Sequence, residues 1–88
     1  MLRSFNHKGL EMFFLTGSKR GIRPNHARRL AQQLTALDAA SPPEDMALPQ
    51  WHLHPLAGDL AGHWAVMVNA NWRLTFRLVG ENAEIVDY

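Results

Sequence analysis

Between residues 63 and 78 the chain alternates twice. Trp64, Val66 and Val68 are interleaved with His63, Ala65 and Met67; then Trp72, Leu74, Phe76 and Leu78 are interleaved with Arg73, Thr75 and Arg77. A period of two is the signature of a strand with one apolar and one polar face. Asn69-Ala70-Asn71 separates the two runs, and asparagine tolerates the left-handed backbone angles that a tight connection needs. The pattern therefore predicts an antiparallel hairpin whose second strand carries two arginines on its polar face. A slip of one residue would bury both arginines, so the register is firmly set.

The hairpin's apolar face needs a cover, and the first half of the chain supplies one. Leu2 and Phe5 suit a short first strand. His7 to Thr16 reads as a helix, with Leu10, Phe13 and Phe14 at helical spacing and Gly17 as its stop. Pro24 fits the first turn of a second helix, which carries a stripe of Ala27, Leu30, Leu34 and Leu37 and ends near Ala40. Arg28, Arg29, Gln32 and Gln33 fall mostly off that stripe.

Ser41-Pro42-Pro43-Glu44 has capping-box spacing and predicts a single turn through Asp45 to Leu48, closed by Pro49. Trp51 to His54 reads as a strand closed by Pro55, Ala57 to Gly62 as a turn, and Ala83 to Tyr88 as the last strand. The order β-α-α-β-β-β-β predicts an α+β fold. It is an antiparallel meander sheet with an N-terminal strand and a helical hairpin packed on one face, forming a single domain over residues 1–88.

Composition narrows the chemistry. The absence of cysteine excludes a disulfide framework and a thiolate zinc site. No apolar run approaches a bilayer span, and MLRSFNHKGL lacks the apolar core of a signal peptide, so a cytoplasmic location is expected. Net charge is only +1, but no Asp or Glu occurs between Glu11 and Asp38, an interval holding Lys19, Arg20, Arg23, Arg28 and Arg29. Such a patch attracts phosphates; it is equally the composition of a solvated helix face.

His52 and His54, two apart on the predicted strand, would share a face at roughly 7 Å. Without a cysteine or carboxylate companion they do not make a metal site, and no cofactor is expected. They are polar groups on the wet side of an edge strand, or one of them is a proton shuttle. Arg73 is held by the large apolar groups on either side of it, and a fixed guanidinium binds phosphate through two parallel hydrogen bonds. For Arg77 that role and pairing with Glu84 or Asp87 across the sheet are both open. His7, His26 and His63 read as structural or solvent-facing. Trp51, Trp64 and Trp72 read as core groups.

These residues also carry a likeness. The opening MLRSFNHKGLEMFF, the central LHPLAGD and GHWAVMVNANWRLTFR, and the closing EIVDY resemble the HigB-type toxins of the RelE/ParE superfamily along essentially the whole chain. The resemblance implies a RelE-like fold and a ribosome-dependent endoribonuclease that cuts mRNA in the ribosomal A site. It also implies a helix-turn-helix antitoxin of HigA type as partner, with operator DNA contacted only through the antitoxin complex.

The family's active-site histidine in its HPL motif falls on His54, and its phosphate-binding arginine in NWR falls on Arg73. Its closing acid and tyrosine are represented at best by Asp87 and Tyr88, without the histidine that usually follows them. Ala57 stands where relatives often carry lysine, which removes a cation from the implied site. In this reading Arg73 stabilises charge on phosphorus and His54 shuttles or orients a proton. Lys19, Arg20, Arg23, Arg28, Arg29 and Arg77 contact RNA. The competing expectation is an attenuated, toxin-like module that pairs with its antitoxin without cutting.

Overall fold

A computed structural model describes residues 1–40 and 42–88. Helix α1 spans Lys8–Thr16. His7, expected inside it, stands just outside in an extended conformation, and its Nδ1 accepts the Leu10 N–H at 3.0 Å. That satisfies one of the four backbone donors a helix start leaves unpaired. Gly17 closes α1 at φ 78°, its N–H reaching the Phe13 carbonyl at 2.9 Å. A left-handed residue at this position is what makes glycine the natural stop.

A 3-10 turn over Pro24–His26 runs into α2, Ala27–Ala39. The stripe of Ala27, Leu30, Leu34 and Leu37 is buried as the spacing predicts, but Gln33 is buried with it. Gln33 lies off the apolar stripe yet faces the sheet. Its Nε2 donates to the Met67 carbonyl at 2.9 Å, so a polar anchor explains its place.

The capping box expected at Ser41 begins outside the described residues. A 3-10 turn over Pro43–Met46 follows, and a second over Pro49–Trp51. Pro49 thus opens a turn instead of closing one, as its fixed φ allows at a first helical position. His52 then adopts φ 49°, ψ 52°. The expected strand from Trp51 to His54 shrinks to β1, His54–Pro55, because Trp51 is drawn into the core and His52 reverses the chain.

Strands β2 (His63–Asn69), β3 (Trp72–Val79) and β4 (Asn82–Asp87) complete a four-stranded antiparallel sheet in the order β1-β2-β3-β4. Pairing of Trp64 with Phe76 and Val66 with Leu74 puts the apolar set on one face. Leu10, Leu30, Leu34 and Leu37 cover that face, and Met46 and Trp51 join the same buried cluster. The expected N-terminal strand is present as two isolated parallel bridges to β4, Leu2 with Ala83 and Phe5 with Val86.

Candidate functional site

The other face of the sheet carries the polar set of the alternation. Register puts His54 beside Ala65, Ala65 beside Thr75, and Thr75 beside Asp87, so one row crosses all four strands. Met67 pairs with Arg73 and His63 with Arg77 on the same face, since alternation sends Leu74 and Phe76 into the core. His54, Arg73, Arg77 and Asp87 are therefore brought to one surface. His54 and Thr75 are two strand spacings apart, roughly 10 Å, with Arg73 two residues further along β3.

His54 Nδ1 lies 2.8 Å from the His52 carbonyl. A carbonyl can only accept, so Nδ1 carries the proton and neutral His54 has its Nε2 lone pair free. The left-handed turn at His52 aims that carbonyl, and histidine is among the residues that tolerate the conformation. The expectation that His52 and His54 share a strand face is thus corrected: His52 orients His54 through its backbone. Among the described residues no three His, Asp or Glu side chains gather as metal ligands.

Arg73 is exposed, and its Nη1 meets the carbonyls of Asn69 and Ala70 at 3.2 Å and of Trp72 at 3.4 Å. The guanidinium is folded over the tip of the β2–β3 hairpin, where the backbone holds one nitrogen. Arg77 is also exposed; Glu84 faces it by register, yet no ion pair joins them among the described residues. Asp87 Oδ1 accepts the Tyr88 N–H at 2.8 Å.

Tyr88 does not join this surface. Its ring packs on Trp72 at 5.1 Å and edge-on to His7 at 5.4 Å, and its hydroxyl lies 2.5 Å from Nδ1 of His26. His26, only 3 % exposed, bonds at Nε2 to Asn69 Nδ2 at 2.7 Å. Arg23 stacks over the Trp72 ring at 4.8 Å. Burial pushes the His26 imidazole below its ordinary value of 6.5, and the nearby Arg23 charge adds to the effect.

The sequence reads His26 as structural or solvent-facing, and burial makes it structural, but its partners Tyr88 and Asn69 were not legible there. The one available signal was a histidine just before the apolar stripe of α2. Trp72 proves to be half-buried, walled by these partners instead of fully enclosed.

Of the basic patch, Lys19, Arg20, Arg23 and Arg28 are exposed and Arg29 is half-buried. Arg23 reaches the hairpin tip from the core side through Trp72, while Arg73 bends over it from the polar face. Ala57, also exposed, lies in the loop between β1 and β2. No helix of the described residues is long and apolar enough to cross a membrane.

Comparison with known proteins agrees with this architecture. The profile of a family described as the RelE-like toxin of the type II toxin–antitoxin system HigB matches residues 3–88. A protein named endoribonuclease HigB, from Proteus vulgaris, is 38 % identical over 88 residues, covering 100 % of this chain and 96 % of its own length. A four-stranded antiparallel meander backed by helices, His54 of HPL and Arg73 of NWR on its polar face, and a family match spanning nearly the whole chain lead to one conclusion: the chain belongs to the HigB-like, RelE-like toxins of type II toxin–antitoxin systems.

Proposed function

We propose that this toxin is an endoribonuclease that cuts mRNA on the ribosome by metal-independent acid–base chemistry on the open face of the sheet. The observation that carries the reading is the shared face of His54 and Arg73, one with a free ring nitrogen and the other with an exposed guanidinium. The activity in the name of the Proteus vulgaris relative supports it.

In the reaction a 2′-hydroxyl loses its proton to His54 Nε2 and its oxygen attacks the adjacent phosphorus. The bond from phosphorus to the 5′-oxygen breaks, leaving a 2′,3′-cyclic phosphate; the leaving oxygen takes a proton from water, and the His54 imidazolium returns its proton to the hydroxide so formed. Negative charge grows on the phosphoryl oxygens, and Arg73 meets it with the N–H groups that the hairpin carbonyls leave free. Asp87 lies in the same row as His54 by register, and Glu84 faces Arg77 on the same side. Lys19, Arg20, Arg28 and Arg29 serve docking to ribosomal RNA through phosphate contacts. The antitoxin partner is of the helix-turn-helix, HigA type and carries the complex to operator DNA; the toxin works in the cytoplasm.

A second reading has two observations in its favour. Tyr88 is engaged with His26 on the other side of the sheet, and Ala57 offers no charge, so the open face is poorer in reactive groups than the family motif implies. A module that binds its antitoxin without cutting would look the same. Induction in a host without antitoxin, with mapping of mRNA 5′ ends, separates the two. Growth arrest with cleavage that disappears in Arg73→Ala and His54→Ala supports the enzyme. Normal growth and intact mRNA leave only the binding module.

A further inference from the structure

The strongest unassigned feature is the part-buried polar chain from Tyr88, just past β4, through buried His26 to the hairpin tip. Asn69, Ala70 and Asn71 are all exposed, so the tip has little apolar packing of its own. Yet its carbonyls hold Arg73, so the position of the guanidinium depends on what fixes the tip. Two side chains of the helical layer reach it. Gln33 Nε2 holds the Met67 carbonyl, beside the register shift between Met67 and Asn69 where a bulge interrupts the ladder. His26 holds Asn69 itself.

The hydrogen-bond directions in this chain are determined. Asn69 Oδ1 accepts the Asn71 N–H at 3.2 Å, so the amide's other end, Nδ2, faces His26 as a donor. His26 Nε2 must then be the acceptor, and Nδ1 carries the proton and donates to the Tyr88 oxygen. Every polar atom of the imidazole is committed. A buried, fully paired histidine that joins three elements is a strut, because exchanging any partner leaves a polar group unsatisfied.

We infer that His26 is a positioning residue: braced against Tyr88, it fixes the Asn69 side chain and so the turn whose carbonyls set the direction of the Arg73 guanidinium. The link to catalysis rests on the ribonuclease reading above; the link to Arg73 geometry does not. The groups facing His26 are Tyr88 just past β4, Asn69 and Trp72 from the hairpin and Arg23 from the preceding loop, with His7 and Asp87 reaching it through Tyr88. A second proton on His26 would set N–H against N–H at Asn69 and break the strut at that joint.

The test uses full-length Asn69→Ala, His26→Gln, Asn69→Asp and Arg73→Ala, each checked for folding by circular dichroism. Cleavage of mRNA on programmed ribosomes should lose tenfold to a hundredfold in kcat in Asn69→Ala and His26→Gln, on the order expected for about 1 Å of misplacement. KM should change little. In Asn69→Asp the carboxylate accepts a hydrogen bond from protonated His26, so the ratio of its kcat to wild type should rise as pH falls. The Arg73 Nε–Hε resonance should shift in all three strut variants.

If Arg73→Ala is inactive while folded Asn69→Ala retains wild-type kcat and an unmoved Arg73 resonance, the positioning role is overturned and the ribonuclease reading stands. A flat Asn69→Asp ratio likewise overturns it. If Arg73→Ala cuts normally, the ribonuclease assignment fails, and the Arg73 resonance alone decides the strut. Should His26→Gln not fold, Asn69→Ala tests the same joint from the exposed side.

Discussion

His54 and Arg73 lie on the same polar face, offset by two strands across and two residues along, because Ala65 pairs with both His54 and Thr75. The offset leaves a strip of sheet between an acceptor nitrogen and a cation. Replacing Arg73 with alanine should lower cleavage of ribosome-bound mRNA by roughly a hundredfold or more, the usual cost of a lost charge-stabilising donor. Arg73→Lys should recover only part of it, since an ammonium cannot make two parallel bonds to phosphate. Single-turnover rates check both, and full activity of Arg73→Ala would remove the assignment.

The alternation from Trp64 to Leu78 made this face legible in the sequence. Period two separates Arg73 from Leu74 whatever else the chain does, and Asn69-Ala70-Asn71 sets where it reverses. The edge strand was less legible, because Trp51 and Leu53 read as strand residues while local backbone chemistry made a 3-10 turn and a left-handed His52. The motifs led to His54 and Arg73, but not to the strut. Hydrogen bonds between residues 26, 69 and 88 depend on tertiary proximity, which no local period encodes. Gln33 was missed for the same reason: its burial goes with a hydrogen bond to the Met67 carbonyl on another element.

Gly9 and Gly21 pack backbone to backbone, a contact with no room for a Cβ on either side. It joins the start of α1 to the basic loop, whose partners are backbone atoms that cannot swing aside. Gly9→Ala or Gly21→Ala should therefore destabilise the fold by about 1–3 kcal/mol, as overpacking typically does. Thermal or urea unfolding reads this directly. An unchanged midpoint would mean that the loop shifts at no cost.

Acid should weaken the fold through His26. Its folded pKa lies below the ordinary 6.5, so just under 6.5 the unfolded chain takes up a proton there that the folded chain does not. Stability rises with pH wherever the unfolded state binds more protons. The His26 contribution is thus complete above 6.5, declines as pH falls below it, and levels off once the lowered folded pKa is passed. Urea unfolding at pH 7.5 and 5.5 should show the loss in wild type, and a smaller one in His26→Gln. Equal losses would assign the acid sensitivity elsewhere.

Arg23 is tied to this cluster in two ways that one substitution can separate. Its guanidinium lies over Trp72, a cation–π contact worth about 0.5–1 kcal/mol at an exposed site. Its charge also opposes a proton on His26. Arg23→Ala should cost that modest stability and raise the His26 pKa, though burial, the larger cause, should keep it below 6.5. Arg23→Lys should restore most of the electrostatic effect, because the charge remains, but less of the stacking, since a planar guanidinium covers an indole better than an ammonium does. Titration of the His26 imidazole by 15N NMR, alongside unfolding midpoints, gives both quantities for each variant. If the pKa does not move in Arg23→Ala, the guanidinium is screened by solvent, and Arg23 acts on the cluster through its contact with Trp72 alone.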